Sequence, residues 1–501
     1  MNSLRNNLDR YILATGLSLR LFGLAHGSLW HDEAFTGLVS PLPWDRFWEA
    51  LLGDVHPPLW YLISRPFVHL LGNNPASLRL PAMLCSVAAL WLFWRLLLFV
   101  GARRDLPGTD SKDNPAVPLP PPLIAALVLM AISPLQIYYA QEARMYAAVT
   151  LCCVAMLYGV VVDKPWVFGA GAVGSLWLHN LGGIYVLAGV VALVITQFVR
   201  RGGVTPPVHP PVPTPLHPPL HGWWIPGYIS AIAALPAVVW TWFQIQNVVG
   251  GYWIIDHTVG SWLYNTLYCQ LAGQGVIDSR ISWNAAIISL MLGLGGLVLG
   301  IRERRWAWIV LAWLPGLIIL ALSNLVRPLL LARTLIGGSP ALYLLGGQLF
   351  DTKRRRIALA LCLAPVLVVG LSRHYLLDRR GDVGGLMDEI RAEDPQVVMH
   401  SQTGGWILMQ WHMPEVEHVL WDGAYSGLSN AVSERTARAL GMDRAALMDL
   451  TRPVAVVFAD YALVSPQERQ GMLGELDAAG AELAYVLADD PYQRVDLWML
   501  R

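Results

Sequence analysis

Trp30-His31-Asp32-Glu33-Ala34 follows residues 11–29, an apolar run of membrane-spanning length, and precedes Asp54-Val55-His56-Pro57-Pro58-Leu59 in the next connection. Two adjacent carboxylates at the mouth of a lipid-embedded helix are costly to place, so they are functional candidates. If they stood alone, a solvated helix end would be the better account of them. The two readings separate only if other unusual polar groups gather on the same membrane face. That depends on how the chain threads the bilayer.

A chain of 501 residues, 55% hydrophobic and 14% charged, with mean hydropathy +0.46, is not a soluble globular protein. Its apolar residues fall into blocks of about 16–22, the length that crosses a hydrocarbon core of roughly 30 Å. Besides 11–29, these lie near 79–100, 119–138, 146–162, 165–181, 183–199, 223–243, 282–301, 306–323, 333–350 and 357–372. The 22 Trp residues, many at block ends, fit anchoring at the membrane interface. Zero net charge gives no reason to expect nucleic acid as a partner. Of five Cys, only Cys269 lies in a polar loop, which argues against a disulfide framework. Arg5 and Arg10 lead into the first apolar run without a small-residue cleavage site, so that run reads as a span.

Block 57–71 decides the topology. It opens Pro-Pro, is short, and carries Arg65 and His69. If it lies along the outer interface, about eleven spans remain. The basic clusters Arg5/Arg10, Arg103/Arg104, Lys164, Arg200/Arg201, Arg302/Arg304/Arg305 and Lys353 to Arg356 then all face the cytoplasm, as short basic loops should. If it crosses, every later cluster flips outward. The first threading puts the N-terminus in the cytoplasm. It places His31-Asp32-Glu33, Asp54/His56, Gln141-Glu142-Ala143-Arg144, His179-Asn180, the loop 244–280, and Arg327/Arg333 on one outer face. That asymmetry predicts a single extracytoplasmic site.

Residues 205–221 are Pro-rich and read as a stiff connector rather than a metal site, despite His209, His217 and His221. Gly169-x-Gly171-x-x-Gly174 mimics a dinucleotide fingerprint, but no strand precedes it. Together with Gly293, Gly295, Gly296 and Gly300, it predicts close helix packing. After about residue 372 the composition becomes that of a soluble domain. Stretches 396–400, 453–458 and 495–499 read as buried strands and 465–478 as a helix. The expected division is a transmembrane domain, 1–372, and a small extracytoplasmic α/β domain, 373–501.

Asp32-Glu33-Ala34, Asp54-x-His56-Pro57-Pro58-Leu59, Arg79-Leu80-Pro81 and Ser133-Pro134, leading into Gln141-Glu142-Ala143-Arg144-Met145-Tyr146, together resemble the GT-C glycosyltransferases. More narrowly they look like the family 39 branch of protein O-mannosyltransferases and lipid A aminoarabinose transferases. Arg327-Pro328 and Arg333 resemble an element near that family's last spans, with Thr334 where Tyr is common. The resemblance covers roughly residues 10–375 in order and spacing. It implies a polytopic α-helical enzyme of the inner membrane, with interfacial helices in its first outer loop. Such an enzyme moves a sugar from a polyprenyl-phosphate donor to a hydroxyl of a glycan, lipid or protein acceptor, with inversion.

That chemistry needs a carboxylate to accept the acceptor's proton. It also needs positive charge on the departing phosphate. The resemblance puts most weight on Asp32 as base, with Glu33 as partner or second candidate. Asp54, His56, Gln141, Glu142, Arg144, Tyr146, His179, Arg327 and Arg333 are the expected substrate-binding residues. A divalent cation, Mn or Mg, stays open, and Asp32, Glu33 and His56 would hold it. His56 could equally be a surface residue on a Pro turn. Gly250-Gly251-Tyr252-Trp253 is either a sugar or acceptor gate or part of an interfacial aromatic belt. A secondary transporter would require internal repeats and midplane charge, which the chain lacks. A non-catalytic lipid-carrier or assembly protein on the same fold is the other alternative.

Overall fold

The structure, a computed structural model, describes residues 7–102, 118–201, 221–245, 258–274, 279–376, 383–422, 432–450, 453–461, 466–490 and 493–500. The chain forms two compact units. One comprises Met1–Leu24, Ala82–Val238 and Asp256–Leu377, the other Ala25–Pro81, Val239–Ile255 and Asp378–Arg501. Compactness thus cuts across composition, because residues 25–81 sort with the C-terminal tail. The Pro-rich connector and the loop around Tyr252 lie outside the described residues.

The first unit is helical, and the protein is a multi-pass membrane protein. Among the described residues six single helices are long and apolar enough to cross: Pro75–Ala102, Gly182–Val199, Gly222–Gln244, Ser282–Arg302, Trp306–Leu325 and Lys353–Leu376. Block 119–138 is a broken helix, Pro121–Ile132 and Pro134–Ala140, bent by 43°. Leu8–Leu21, Tyr146–Val162 and Pro165–Leu178 are shorter. At 1.5 Å per residue their lengths are about 21–26 Å, less than a full hydrocarbon core. Block 333–350 divides into Ala332–Leu335, Ile336–Gly338, Ser339–Gly347 and Gln348–Phe350. The expected eleven apolar blocks are therefore not eleven full-length helices. Proline and glycine break the ladder where hydropathy alone runs on.

The break at Ser133 has a specific remedy. Pro134 has no N–H, so Met130 O loses its helical donor. Arg20, buried at the end of Leu8–Leu21, replaces it with Nη2 at 3.0 Å. Its Nη1 reaches Ala131 O at 2.7 Å, and Nε donates to Ser86 Oγ at 2.8 Å. A break in a membrane-spanning segment is tolerated only when its freed backbone groups find such partners. The glycine patterns do mark close packing. A Cβ on Gly171 would lie 2.5 Å from Cys152 O, and one on Gly296 2.7 Å from Leu345 C.

The second unit joins three short helices to the α/β domain. His31–Val39, Trp44–Gly53 and Leu59–Leu71 have 9, 10 and 13 residues, too short to cross. Leu59–Leu71 agrees with the non-crossing reading of block 57–71. The domain is a mixed six-stranded sheet with order β3-β2-β1-β4-β6-β5. Its strands are β1 Val397–His400, β2 Glu417–Trp421, β3 Asp443–Ala445, β4 Val454–Tyr461, β5 Glu482–Asp490 and β6 Gln493–Leu500. β1 to β4 pair in parallel, while β6 runs antiparallel to both β4 and β5. Its core is built from alternate strand residues: Val397, Met399, Val454 and Val456 in one cluster, Val398, Ala455 and Val457 in another. Helix Pro466–Ala478 lies where the sequence places one. Trp44–Gly53 packs on helix Glu434–Leu440, with Thr436 Oγ1 donating to Ala50 O at 2.8 Å and Arg46 Nε to Ala439 O at 2.8 Å.

Candidate functional site

The acidic pair sits in the first turn of His31–Val39, and the two carboxylates have different surroundings. Glu33 is sealed from solvent and accepts from Arg79 through both oxygens, Nε to Oε1 at 2.8 Å and Nη2 to Oε2 at 3.1 Å. Arg79 also donates to His26 O at 2.7 Å and to Ser28 O at 3.2 Å. Its planar fork therefore ties the helix start to the connection before it. Asp32 has a side chain 20% exposed, with Oδ1 3.1 Å from His31 Nε2. An acidic group is favoured there by the helix N-terminus. Of the two, Asp32 is the carboxylate open to solvent.

Asp54 and His56 form a second small cluster in the same unit. Tyr61 donates to Asp54 Oδ2 at 2.8 Å, and His56 Nδ1 lies 3.6 Å from that oxygen. The buried amide of Gln244 donates to His56 O, fixing the turn before Pro57. Asp32, Glu33 and His56 do not fit a divalent-ion site, because Glu33 is neutralised by Arg79. Among the described residues no three His, Cys, Asp or Glu side chains converge on a point an ion could fill.

In the helical unit, the turn after the broken helix carries Gln141, Glu142 and Arg144, all buried. Gln141 has a structural position. Its amide nitrogen donates to Leu19 O at 3.0 Å and Phe22 O at 2.7 Å, and its oxygen lies 2.9 Å from His374 Nε2. It thereby caps the open end of Leu8–Leu21. Tyr146, at the start of Tyr146–Val162, is the hub of a cluster. Tyr139 is 5.0 Å from it, His179 5.8 Å, and Arg333 Cζ lies 5.7 Å from its ring centroid. Glu142 and Arg333 are both within electrostatic reach of Tyr139, whose hydroxyl is bonded by Gln274. Arg327 lies just past Trp306–Leu325, where its backbone N–H donates to Leu322 O at 3.0 Å.

Sequence reasoning passed over several of these residues. Tyr139 sits inside an apolar block, and Gln274 in a loop without a motif. Tyr185 pins the Arg333 turn by donating to Thr334 O at 2.6 Å and accepting from Gly337 N–H at 3.2 Å. In the sequence His31 stands out only as a neighbour of Asp32, and Arg79 only as part of a motif. No local pattern announces a partner 46 residues away.

No family model matches the sequence, and a comparison with curated proteins finds no match. Among solved structures the chain is similar to the crystal structure of ArnT from Cupriavidus metallidurans in the apo state. Identity is 11%, with 97% of each chain covered and a TM-score of 0.57. It is similar also to ArnT from Cupriavidus metallidurans bound to undecaprenyl phosphate, at 12% identity over 98% of each chain, TM-score 0.56. At such identity the likeness is one of fold. The chain shares the fold of these ArnT structures over nearly its whole length.

Proposed function

We propose that this protein is an inverting glycosyltransferase of the inner membrane. It moves a sugar from a polyprenyl-phosphate donor to a hydroxyl of an extracytoplasmic glycan, lipid or protein. The N-terminus is cytoplasmic, and the chemistry and the α/β domain are extracytoplasmic. The observation that carries this reading is the unequal treatment of two adjacent carboxylates. Glu33 is locked by Arg79, while Asp32 stays accessible beside His31. An alcohol becomes a competent nucleophile when a carboxylate takes its proton as the new C1–O bond forms. Asp32 does this, and His31 orients it. Glu33 and Arg79 hold the helix that carries it. As the acceptor oxygen bonds to C1, the C1–O bond to phosphate breaks and its electron pair leaves with the lipid phosphate, whose dianionic charge is stabilised by Arg333, supported by Tyr146 and His179. Asp54 and His56 contact the sugar or acceptor.

The fold neighbour that binds undecaprenyl phosphate supports the donor class. Binding of undecaprenyl phosphate to the purified protein tests it. Loss of a charge-assisted contact costs about 1.5–3 kcal/mol, so Arg333→Ala should weaken binding by roughly ten- to a hundredfold. Equal affinity in the two proteins would remove Arg333 from the phosphate, and no binding by either would remove the donor class.

A further inference from the structure

A nine-residue helix such as His31–Val39 does not hold itself in one place, because isolated helices of that length are marginal in water. Whatever fixes Asp32 must come from packing. Glu33 and Arg79 fix the first turn and the connection at 26–28. A second set of contacts comes from the far end of the sequence. Helix Thr403–His412 buries Trp406, Ile407 and Met409, and it ends on half-buried Trp411 and His412. His412 Nε2 donates to Leu29 O at 3.1 Å, across a separation of 383 residues. Leu29 is fully buried and lies three positions before Asp32.

Trp411 meets the other end of the same helix. A Cβ on Gly37 would fall 2.4 Å from Trp411 Nε1 and 2.8 Å from its Cδ1, so the approach requires glycine. Asn73 bridges the two, donating to Gly37 O at 2.9 Å and accepting from Trp411 Nε1 at 3.5 Å. The lead into the helix and its last turns are thus both gripped by consecutive residues of the α/β domain.

We propose that Trp411 and His412 are positioning residues for Asp32, and that the α/β domain serves the reaction by clamping the helix that carries the base. This rests on the role of Asp32 given above. Neither residue touches reacting atoms; each acts through the backbone of 29–37.

The test uses the full-length protein with two readouts, amide hydrogen exchange over residues 29–37 and steady-state turnover of a polyprenyl-phosphate hexose. Loss of a tertiary clamp lowers local protection, so His412→Leu should speed exchange there about tenfold. A displacement near 1 Å can cost up to about a hundredfold in rate, so kcat should fall at least about tenfold while KM for the donor stays within about twofold. His412→Gln, which keeps a donor at the same reach, should restore both. Arg435→Gln, which removes the Glu49 ion pair elsewhere on the domain, should change neither. Unchanged exchange and kcat in His412→Leu overturn the proposal. Faster exchange with wild-type kcat also overturns it, leaving the contact as packing alone. A wild-type protein without turnover defeats the transferase reading instead, and exchange then decides by itself whether the domain clamps the segment.

Discussion

Glu33 and Arg79 have no access to water, and both carboxylate oxygens are engaged by the guanidinium. Removing one member strands the other as a buried charge, which costs about 3–5 kcal/mol. Arg79→Met should therefore sharply lower the thermal midpoint of the detergent-solubilised protein; a wild-type midpoint would contradict the structural role given to the pair. Asp32→Asn should leave the midpoint near wild type, because its side chain is partly solvated. Sequence reasoning found the acidic pair, since its position after a span makes it unusual. It does not tell the two carboxylates apart, because their difference in surroundings arises from burial and from a partner 46 residues away.

The broken helix Pro121–Ile132/Pro134–Ala140 shows the same thing for whole elements. Block 119–138 was legible as one apolar segment, and Ser133-Pro134 as a motif. The 43° bend was not, nor was Arg20, a lone cation in an apolar run. Hydropathy averages over such a run and cannot see a backbone carbonyl that lacks a donor. The structure ties the two together, since Arg20 donates to the carbonyl that Pro134 deprives. Arg20→Leu should cost about 1–3 kcal/mol for each carbonyl left buried and unbonded. Pro134→Ala restores an N–H for Met130 O, so in a double-mutant cycle it should recover part of that loss. Strict additivity in thermal unfolding would show that the two are independent.

For the molecule as a whole, composition divides the chain near residue 372, whereas compactness gathers residues 25–81 with the tail. Three of the tail's inner strands, β1, β4 and β6, are legible from their apolar runs. β2, β3 and β5 are not, because Glu417, Asp443 and Arg444 dilute the first two and β5 ends in Asp489-Asp490. Inside that sheet His400 Nε2 lies 2.9 Å from His418 Nδ1, and His418 Nε2 donates to Met413 O at 2.8 Å. Burial, and for His400 also the neighbouring His418, holds both imidazoles below their ordinary value of 6.5. The unfolded chain then binds more protons than the folded domain below pH 6.5. Stability should be flat above that value and fall as pH drops through it. Exchange protection of β1 and β2 in the full-length protein, corrected for intrinsic rates, should show this slope, and His400→Met should reduce it. A slope unchanged by the substitution would assign the acid sensitivity to other groups.

The most direct measurement is release of undecaprenyl phosphate from an undecaprenyl-phosphate-linked hexose by purified protein with an acceptor present. Wild type, Asp32→Asn and Glu33→Gln would be compared at matched folded fraction. A general base contributes about 10²- to 10⁴-fold, so Asp32→Asn should lose at least about a hundredfold in kcat. Glu33→Gln should lose activity only as far as it loses folded protein. Wild-type turnover by Asp32→Asn, or abolished turnover by fully folded Glu33→Gln alone, would contradict the assignment of the base.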